Sequence, residues 1–283
     1  NQSFTIASNV LGIGQPTLSI HVANLEKHFE IELFYRRNRK VTLTPLGKTL
    51  LTITKGLYGY EREAIALLQA SKEMNTGELR IHATVAYDVM EVLETFRSKH
   101  PKIVSKVTLG NEQEVLKSLE QFSSDIGVIG RAITDNRYSS YFFSRHEVKA
   151  IFNTSHPLAQ RRKISLEDLD GYHMILRPKS STTRQAFEAA VKNTKFKIHT
   201  VMEMNSREAI REAVIRGFGF GVMSEPAFYP HEKLRAISFS DVNIFTEVYI
   251  VCLSERRERT ILDEFFSAAK QLREHKIQQK LSQ

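Results

Sequence analysis

The sequence predicts an α/β chain with an all-α N-terminal part, and three observations carry that prediction. The opening residues hold two short runs at helical spacing joined through a glycine, a sustained heptad pattern follows, and from residue 78 onward short β-rich and amphipathic segments alternate. Such alternation builds α/β domains with largely parallel sheets. Roughly 200 residues is generous for one such sheet, so two lobes with a cleft between them are expected.

The first helix runs from about Phe4 to Leu11 and is closed by Gly12. In the next segment Leu18, Val22, Leu25 and Phe29 recur at spacings of 4, 3 and 4, one apolar stripe, with Gly14 as cap and Pro16 in the first turn, where its missing N–H costs nothing. Helix, tight glycine turn, helix is the helix-turn-helix pattern. The face opposite the stripe carries Gln15, Thr17, Ser19, His21 and Asn24 beside Pro16. These hydrogen-bonding groups have the length to reach base edges and phosphates in a major groove; alone, the same face is also an ordinary solvated helix surface. The basic run Arg36, Arg37, Arg39 and Lys40 then leads into a β-branched strand, Val41 to Thr44, which reads as a wing whose tip lies where a phosphate backbone would pass. Thr44 and Pro45 start a long helix that Gly77 is expected to end. Its apolar or small residues at Leu46, Leu50, Ile53, Leu57, Tyr60, Ala64, Leu67 and Ser71 alternate spacings of 4 and 3, a coiled-coil seam centred on Leu50, Ile53 and Leu57 that wants a second copy of itself.

Beyond residue 78 the expected strands are "ELRIHATV", "IVSKVTLG", "DIGVIG", "VKAIF", "HMILR", "IHTVMEM", "FGVMS" and "TEVYIVCL", with helices near 89–99, 112–122, 183–192 and 206–216 and a closing helix through Phe265 and Phe266. Ligands of open α/β sheets sit at the carboxyl ends of strands. That rule singles out Thr84, Asn111 with Glu112, and Gly130 with Arg131. In "RPKSSTTRQAFE", Ser180, Ser181, Thr182 and Thr183 stand at a helix start, where free N–H groups favour an anion, with Arg177, Lys179 and Arg184 as basic flanks; Ser and Thr are also common helix caps. Asn205 and Glu208 fit a helix N-cap box.

Composition narrows the classes. The chain has 283 residues and 41% hydrophobic content, enough for buried cores, and one cysteine, Cys252, so no internal disulfide is possible and a reducing, cytoplasmic setting is expected. No apolar run approaches the roughly 18 residues of a bilayer span. The net charge is +8, and residues 1–60 hold seven Lys or Arg against three acids, half of the excess in about a fifth of the chain. Ten histidines include no pair at metal-ligand spacing, and neither H-E-x-x-H nor G-x-S-x-G occurs, so no metal, cofactor or catalytic residue is assigned and the chain is not expected to be an enzyme. "GFGFG" at 217–221 closes a helix and leads into a strand, the reverse of a dinucleotide fingerprint.

Read together, "QSFTIASNVLGIGQPTLSIHVANLEKHFEIELFYRRNRKVTLTPLG", "GELRI", "HPLA", "ISLEDLDGYHMI" and "SREAIREAVIRGFGFGVMS" resemble the LysR-type transcriptional regulators. The departures are Gly14 in place of the usual Ser cap and Ile20 where many members carry Arg. The resemblance implies a winged helix-turn-helix over 1–58, a linker helix over 59–76 and an effector domain over 77–283 like a two-lobed periplasmic binding protein. Lobe I would comprise 77–147 and 253–283 and lobe II 148–252, with crossing strands near Val148–Phe152 and Thr246–Cys252. It also places the family's first helix ahead of Gln2, so that the chain reads as a fragment. Implied partners are double-stranded DNA carrying an interrupted inverted repeat, a second copy of the chain in a dimer or tetramer, and RNA polymerase, with no membrane. The implied ligand is a small effector between the lobes. "LGNEQEVLKSL", "RPKSSTTRQAFE", "EMNSREAIREAV" and "FTEVYIVCLSERR" are similar to the subgroup associated with aminoethylphosphonate catabolism, which points to a phosphonate or related anion. The rival is a solute-binding protein without a DNA-binding role, disfavoured by the basic N-terminal region and the lack of a signal peptide.

Overall fold

The computed structural model describes residues 3–37, 40–70, 77–192, 194 and 197–281, with only the backbone described at 36, 37, 40, 62, 63, 66–70, 280 and 281. The chain forms two compact units, 1–72 and 73–283.

In the first unit, α1 (Phe4–Leu11) is capped by Ser3, whose Oγ accepts from Ile6 N, and ends at Gly12, whose φ of 66° is the left-handed conformation that glycine adopts without strain. Helix α2 (Gln15–His28) follows, then the hairpin β1 (Phe34–Arg37) and β2 (Lys40–Leu43), with Arg36 opposite Val41 and Arg37 opposite Lys40. Glu26 near the end of α2 accepts from Leu33 N at 2.8 Å and Phe34 N at 3.1 Å, which fixes the hairpin to the helix. Thr44 caps α3 (Pro45–Ala70) by accepting from Gly47 N at 3.0 Å. Of the α2 stripe, Leu18 and Val22 are half-buried, whereas Leu25 and Phe29 remain exposed, because α1 and the hairpin cover only part of that face.

Helix α3 runs unbroken through 58/59, as a single long helix opened at Pro45 requires. Gly77 is the first residue of a strand and pairs with Ile103, and the expected end of the helix between Ala70 and Gly77 lies outside the described residues. Ser71 of the predicted seam lies outside the described residues.

The second unit contains, in chain order, β3 (Gly77–Ala83), α4 (Tyr87–Lys99), β4 (Ile103–Leu109), α5 (Glu112–Glu120), β5 (Ile126–Ile129), β6 (Tyr138–Asn153), β7 (Lys163–Ile164), β8 (His173–Leu176), α6 (Thr182–Val191), β9 (His199–Glu203), α7 (Arg207–Ile215), β10 (Gly221–Ser224), β11 (Leu234–Phe239), β12 (Phe245–Leu253) and α8 (Thr260–Leu281). Strand β3 lies between β4 and β5 in parallel. Strand β12 runs antiparallel to β5 and to the first part of β6, where Phe245 faces Glu147. From Val148 onward β6 changes partners and pairs with β10 and β11. The sheet is therefore mixed rather than largely parallel, since the crossing strands oppose their neighbours. The pairing also puts the whole of β12 in the first lobe's sheet, so the boundary drawn at 252/253 falls at the far end of a strand and the pairing changes at Ile244/Phe245.

Period-two alternation along β6 and β12 serves cores on both faces. Phe143 with Val248, Ile250 and Cys252 joins Phe96, Phe265 and Phe266 of α4 and α8, while Val251 and Leu253 join Val115 and Leu119 of α5. In the second lobe Val148, Ala150 and Phe152 pack with Phe187 and Phe220, and Ile151 points to the opposite face with Ile175 and Ile210. Each fully buried side chain of this size contributes about 1.5–3 kcal/mol. Cys252 is a core residue whose thiol burial pushes up to about 11.

Candidate functional site

The lobes of the second unit meet where the carboxyl ends of their strands approach the first turn of α6. A Cβ placed on Gly130, just after β5, would lie 2.2 Å from Thr182 Cγ2, so at this point one lobe's backbone presses on the other's helix. Around that contact Thr84, Asp88, His146, Thr182, Thr183, Ser224 and Thr246 line a cavity of about 10 Å³, room for about one water molecule. A wider cavity of about 500 Å³ adjoins it, lined among others by Glu112, Arg131, Arg145, Gln185 and Glu247.

Of the residues the sequence singled out, the structure brings Thr84, Thr182 and Thr183 together on the narrow cavity, and Arg131 beside the wide one, paired with Glu112 at 2.7 Å. The others are placed elsewhere. Asn111 is the cap of α5: its Oδ1 accepts from Glu114 N while its own N–H donates to Glu114 Oε2. Ser180 is exposed, and Ser181 is the N-cap of α6 without a side-chain cap bond. Neither they nor Arg184 line the two cavities. Arg184 is buried, donates to Glu188 and Glu203 at 2.6 Å each and to Arg177 O, so its charge is met within the lobe. The cause is helical geometry, which places Glu188 four residues on along α6. Ser206, rather than Asn205, is the N-cap of α7, accepting from Ala209 N at 3.1 Å.

Sequence reading passed over a polar cluster in the narrow cavity. Ser144 and His146, two residues apart on one face of β6, both reach Asp88 Oδ1 in the first turn of α4; His146 Nε2 lies 2.8 Å from it and 3.0 Å from Ser144 Oγ. A nucleophile relay needs the serine and the carboxylate on opposite ring nitrogens of the histidine. Here both oxygens address Nε2, an arrangement suited to fixing β6 against α4. Alternation of Ser144 and His146 was visible in the sequence, but their partner Asp88 was 56 residues away.

In the first unit Gln15, Pro16, Thr17, His21 and Asn24 are exposed on α2, and Ser19, half-buried, accepts from Gln15 Nε2 at 3.1 Å. Ile20 interrupts this polar surface at 58% exposure. Arg36, Arg37 and Lys40 occupy paired positions of the hairpin, and Arg39 lies outside the described residues. Along α3, Ile53 and Leu57 are 63% and 65% exposed and Leu50 is half-buried. Among the described residues no group of His, Cys, Asp or Glu is arranged to hold a metal ion, and no helix is long and apolar enough to cross a membrane.

Residues 1–48 match the family described as "Bacterial regulatory helix-turn-helix protein, lysR family", and residues 72–273 match "LysR substrate binding domain". Similar proteins include the HTH-type transcriptional regulator CysL of Bacillus subtilis, 29% identical over 87% of this chain and 83% of that one. The HTH-type transcriptional activator CmpR of Synechocystis is 32% identical over 78% of this chain and 74% of that one. Among solved structures, a full-length OxyR variant from Pseudomonas aeruginosa superposes with a TM-score of 0.74 at 20% identity, covering 95% of this chain and 90% of that one. The LysR family regulator CbnR gives 0.73 at 13% identity, covering 96% and 94%. These last two likenesses concern the fold. A helix-turn-helix unit followed by a two-lobed α/β unit, each matching its counterpart in one family, makes this chain a member of the LysR family of bacterial helix-turn-helix transcriptional regulators.

Proposed function

We propose that this regulator reads operator DNA as a dimer or a pair of dimers and is controlled by a small anion bound between the lobes of the second unit. The observation that carries the first part is the exposed polar face of α2, with Gln15, Thr17, His21 and Asn24 free of the unit's own core, on a unit with an excess of basic residues. Base edges in a major groove offer such side chains partners, while Arg36, Arg37, Arg39 and Lys40 supply sequence-independent attraction to phosphate. The DNA-binding role sets the cytoplasm as the working compartment, and RNA polymerase is the partner a regulator at a promoter meets. No cofactor enters this reading.

The effector reading rests on the threonine-lined cavity and the first turn of α6, whose unpaired N–H groups suit an anionic head. Thr182 and Thr183 are its contacts on the second lobe and Thr84 its contact on the first; Arg184 positions α6 rather than touching the ligand. Because this space now admits about one water, the effector enters only by parting Gly130 from Thr182, which couples binding to lobe movement. The narrower form of the reading is a phosphonate of the aminoethylphosphonate kind, supported by the likeness of "RPKSSTTRQAFE" and "EMNSREAIREAV" to that subgroup.

Fluorescence anisotropy with operator and random DNA tests the first part. Replacing Arg36 and Arg39 with Ala should weaken binding to all sequences alike and flatten the salt slope by roughly 0.9 for each phosphate no longer neutralised. Gln15→Ala should instead reduce discrimination by about 1–3 kcal/mol. Unchanged binding in both variants would remove the assignment. Calorimetry with 2-aminoethylphosphonate, phosphate, sulfate and a neutral amine tests the second; preference for the amine excludes an anion, and phosphate or sulfate alone excludes the phosphonate.

A further inference from the structure

At the turn of α6, Arg184 is committed to Glu188 and Glu203 and is not the proposed anion's cation. Two other arginines of the second lobe stand in the opposite condition. Arg177 directly follows β8, and Arg207 opens α7. Both are partly buried, and among the described residues neither side chain makes a hydrogen bond or an ion pair; Arg177 Nε is wholly buried without an acceptor. Elsewhere in the same unit, Arg80 and Arg256 meet Asp125 at 2.9 and 3.0 Å. Glu208, whose charge acts on both arginines, accepts from Ser206 Oγ at 2.6 Å and hydrogen-bonds to neither of them.

The pair is electrostatically costly as it stands. Burial, and then the like charge of Arg207, bring the Arg177 guanidinium down to about 10, and burial likewise lowers Arg207. Buried charges without partners are rare, and two of like sign side by side are rarer, unless something of opposite charge joins them. From the other lobe comes Tyr87, the first residue of α4. Its ring lies 5.7 Å from that of Tyr229 and packs on the second lobe's core beside Ile151, Ile175 and Ile210. Burial, the Tyr229 hydroxyl and other neighbours together raise its pKa, so it stays a neutral donor at ordinary pH.

We infer that Arg177 and Arg207, at the end of β8 and the start of α7, with Tyr87 of the other lobe packed on the core that Ile175 and Ile210 form beside them, form the seat of a tetrahedral dianion: a phosphate, or the phosphoryl or phosphonyl head of a small metabolite. Two guanidiniums present parallel N–H donors matched to such oxygens, which a single carboxylate would neutralise only in part. An anion bonded to both lobes would hold them at a fixed approach. The inference rests on the reading of this unit as an anion-responsive effector domain and supplies the charge that Arg184 does not.

The test is calorimetry on the full chain with inorganic phosphate, methylphosphonate and acetate, in parallel with thermal unfolding. Phosphate or methylphosphonate should bind in preference to acetate. Arg177→Gln and Arg207→Gln should each weaken that binding at least about tenfold. Without ligand, either Gln variant should melt at or above the wild type, since one of two repelling charges has gone, and added phosphate should raise the melting temperature of the wild type alone. Loss of binding in Thr183→Ala but not in the arginine variants overturns this seat and leaves the anion effector standing on α6. An absence of anion binding in the wild type overturns both readings. Gln variants that melt well below the wild type without ligand show the arginines to be struts and overturn the seat alone.

Discussion

Asp125 shows what a single residue does in the second unit. Its carboxylate takes a two-point contact from Arg80, with Nε at 3.0 Å and Nη2 at 2.9 Å, and a third from Arg256 at 3.0 Å, so that β3, the start of β5 and the turn after β12 share one anion. Burial opposes ionisation of this group, but the hydrogen bond and charge of Arg80 and the charge of Arg256 outweigh it and hold the carboxyl below its usual range. A depressed folded pKa contributes stability that is present above the unfolded value of about 3.9 and is lost as pH falls through the lower folded value. Asp125→Asn should therefore cost about 3–5 kcal/mol in urea unfolding at neutral pH, and the difference from wild type should shrink as the pH drops below about 4. A difference independent of pH would mean that packing, not charge, is what Asp125 provides.

Helix α3 shows the element scale. Its twenty-six residues carry Ile53, Leu57 and Tyr60 uncovered, a seam longer and more regular than the first unit itself can bury. Paired with a copy, these side chains become core, and an ionised group among them is a buried unpaired charge. Ile53→Glu should lower the mass measured by light scattering to that of the next smaller assembly, while circular dichroism keeps its helical signal. An unchanged mass places the dimer contact elsewhere. Strand β6 makes the complementary point: sixteen residues long, it serves one lobe's sheet to Glu147 and the other's from Val148, so both lobes register on one continuous backbone.

For the whole molecule, the proposed regulation is a coupling free energy between the DNA surface and the effector site. If an effector changes DNA affinity by some factor, DNA must change effector affinity by the same factor, typically about 5- to 150-fold. Measuring both from titrations of one preparation, with and without the other ligand at saturation, should return equal factors. A factor near one for every small anion tried, beside intact DNA binding, would sever effector control from this unit.

How much of this was legible in the sequence follows from the range of the interactions. Local signals sufficed for α1 at Phe4–Leu11, for the Gly12 turn, for Thr44 and Pro45 at the start of α3 and for most strands of the second unit, because spacing, capping and turn chemistry act within a few residues. The polar face of α2 and the heptad spacing along α3 were readable for the same reason, and so was the density of family motifs. Tertiary structure decided whatever depends on partners far along the chain. It extended β6 back to Tyr138, added β11, whose six residues carried no signal strong enough to read, and assigned β12 to the first lobe. It also settled the fate of charges. Arg184 and Arg177 stand seven residues apart beside one helix start and read alike, yet Arg184 finds Glu188 and Glu203 while Arg177 finds none, since only the packing of β8, β9 and α7 determines which carboxylates come within reach.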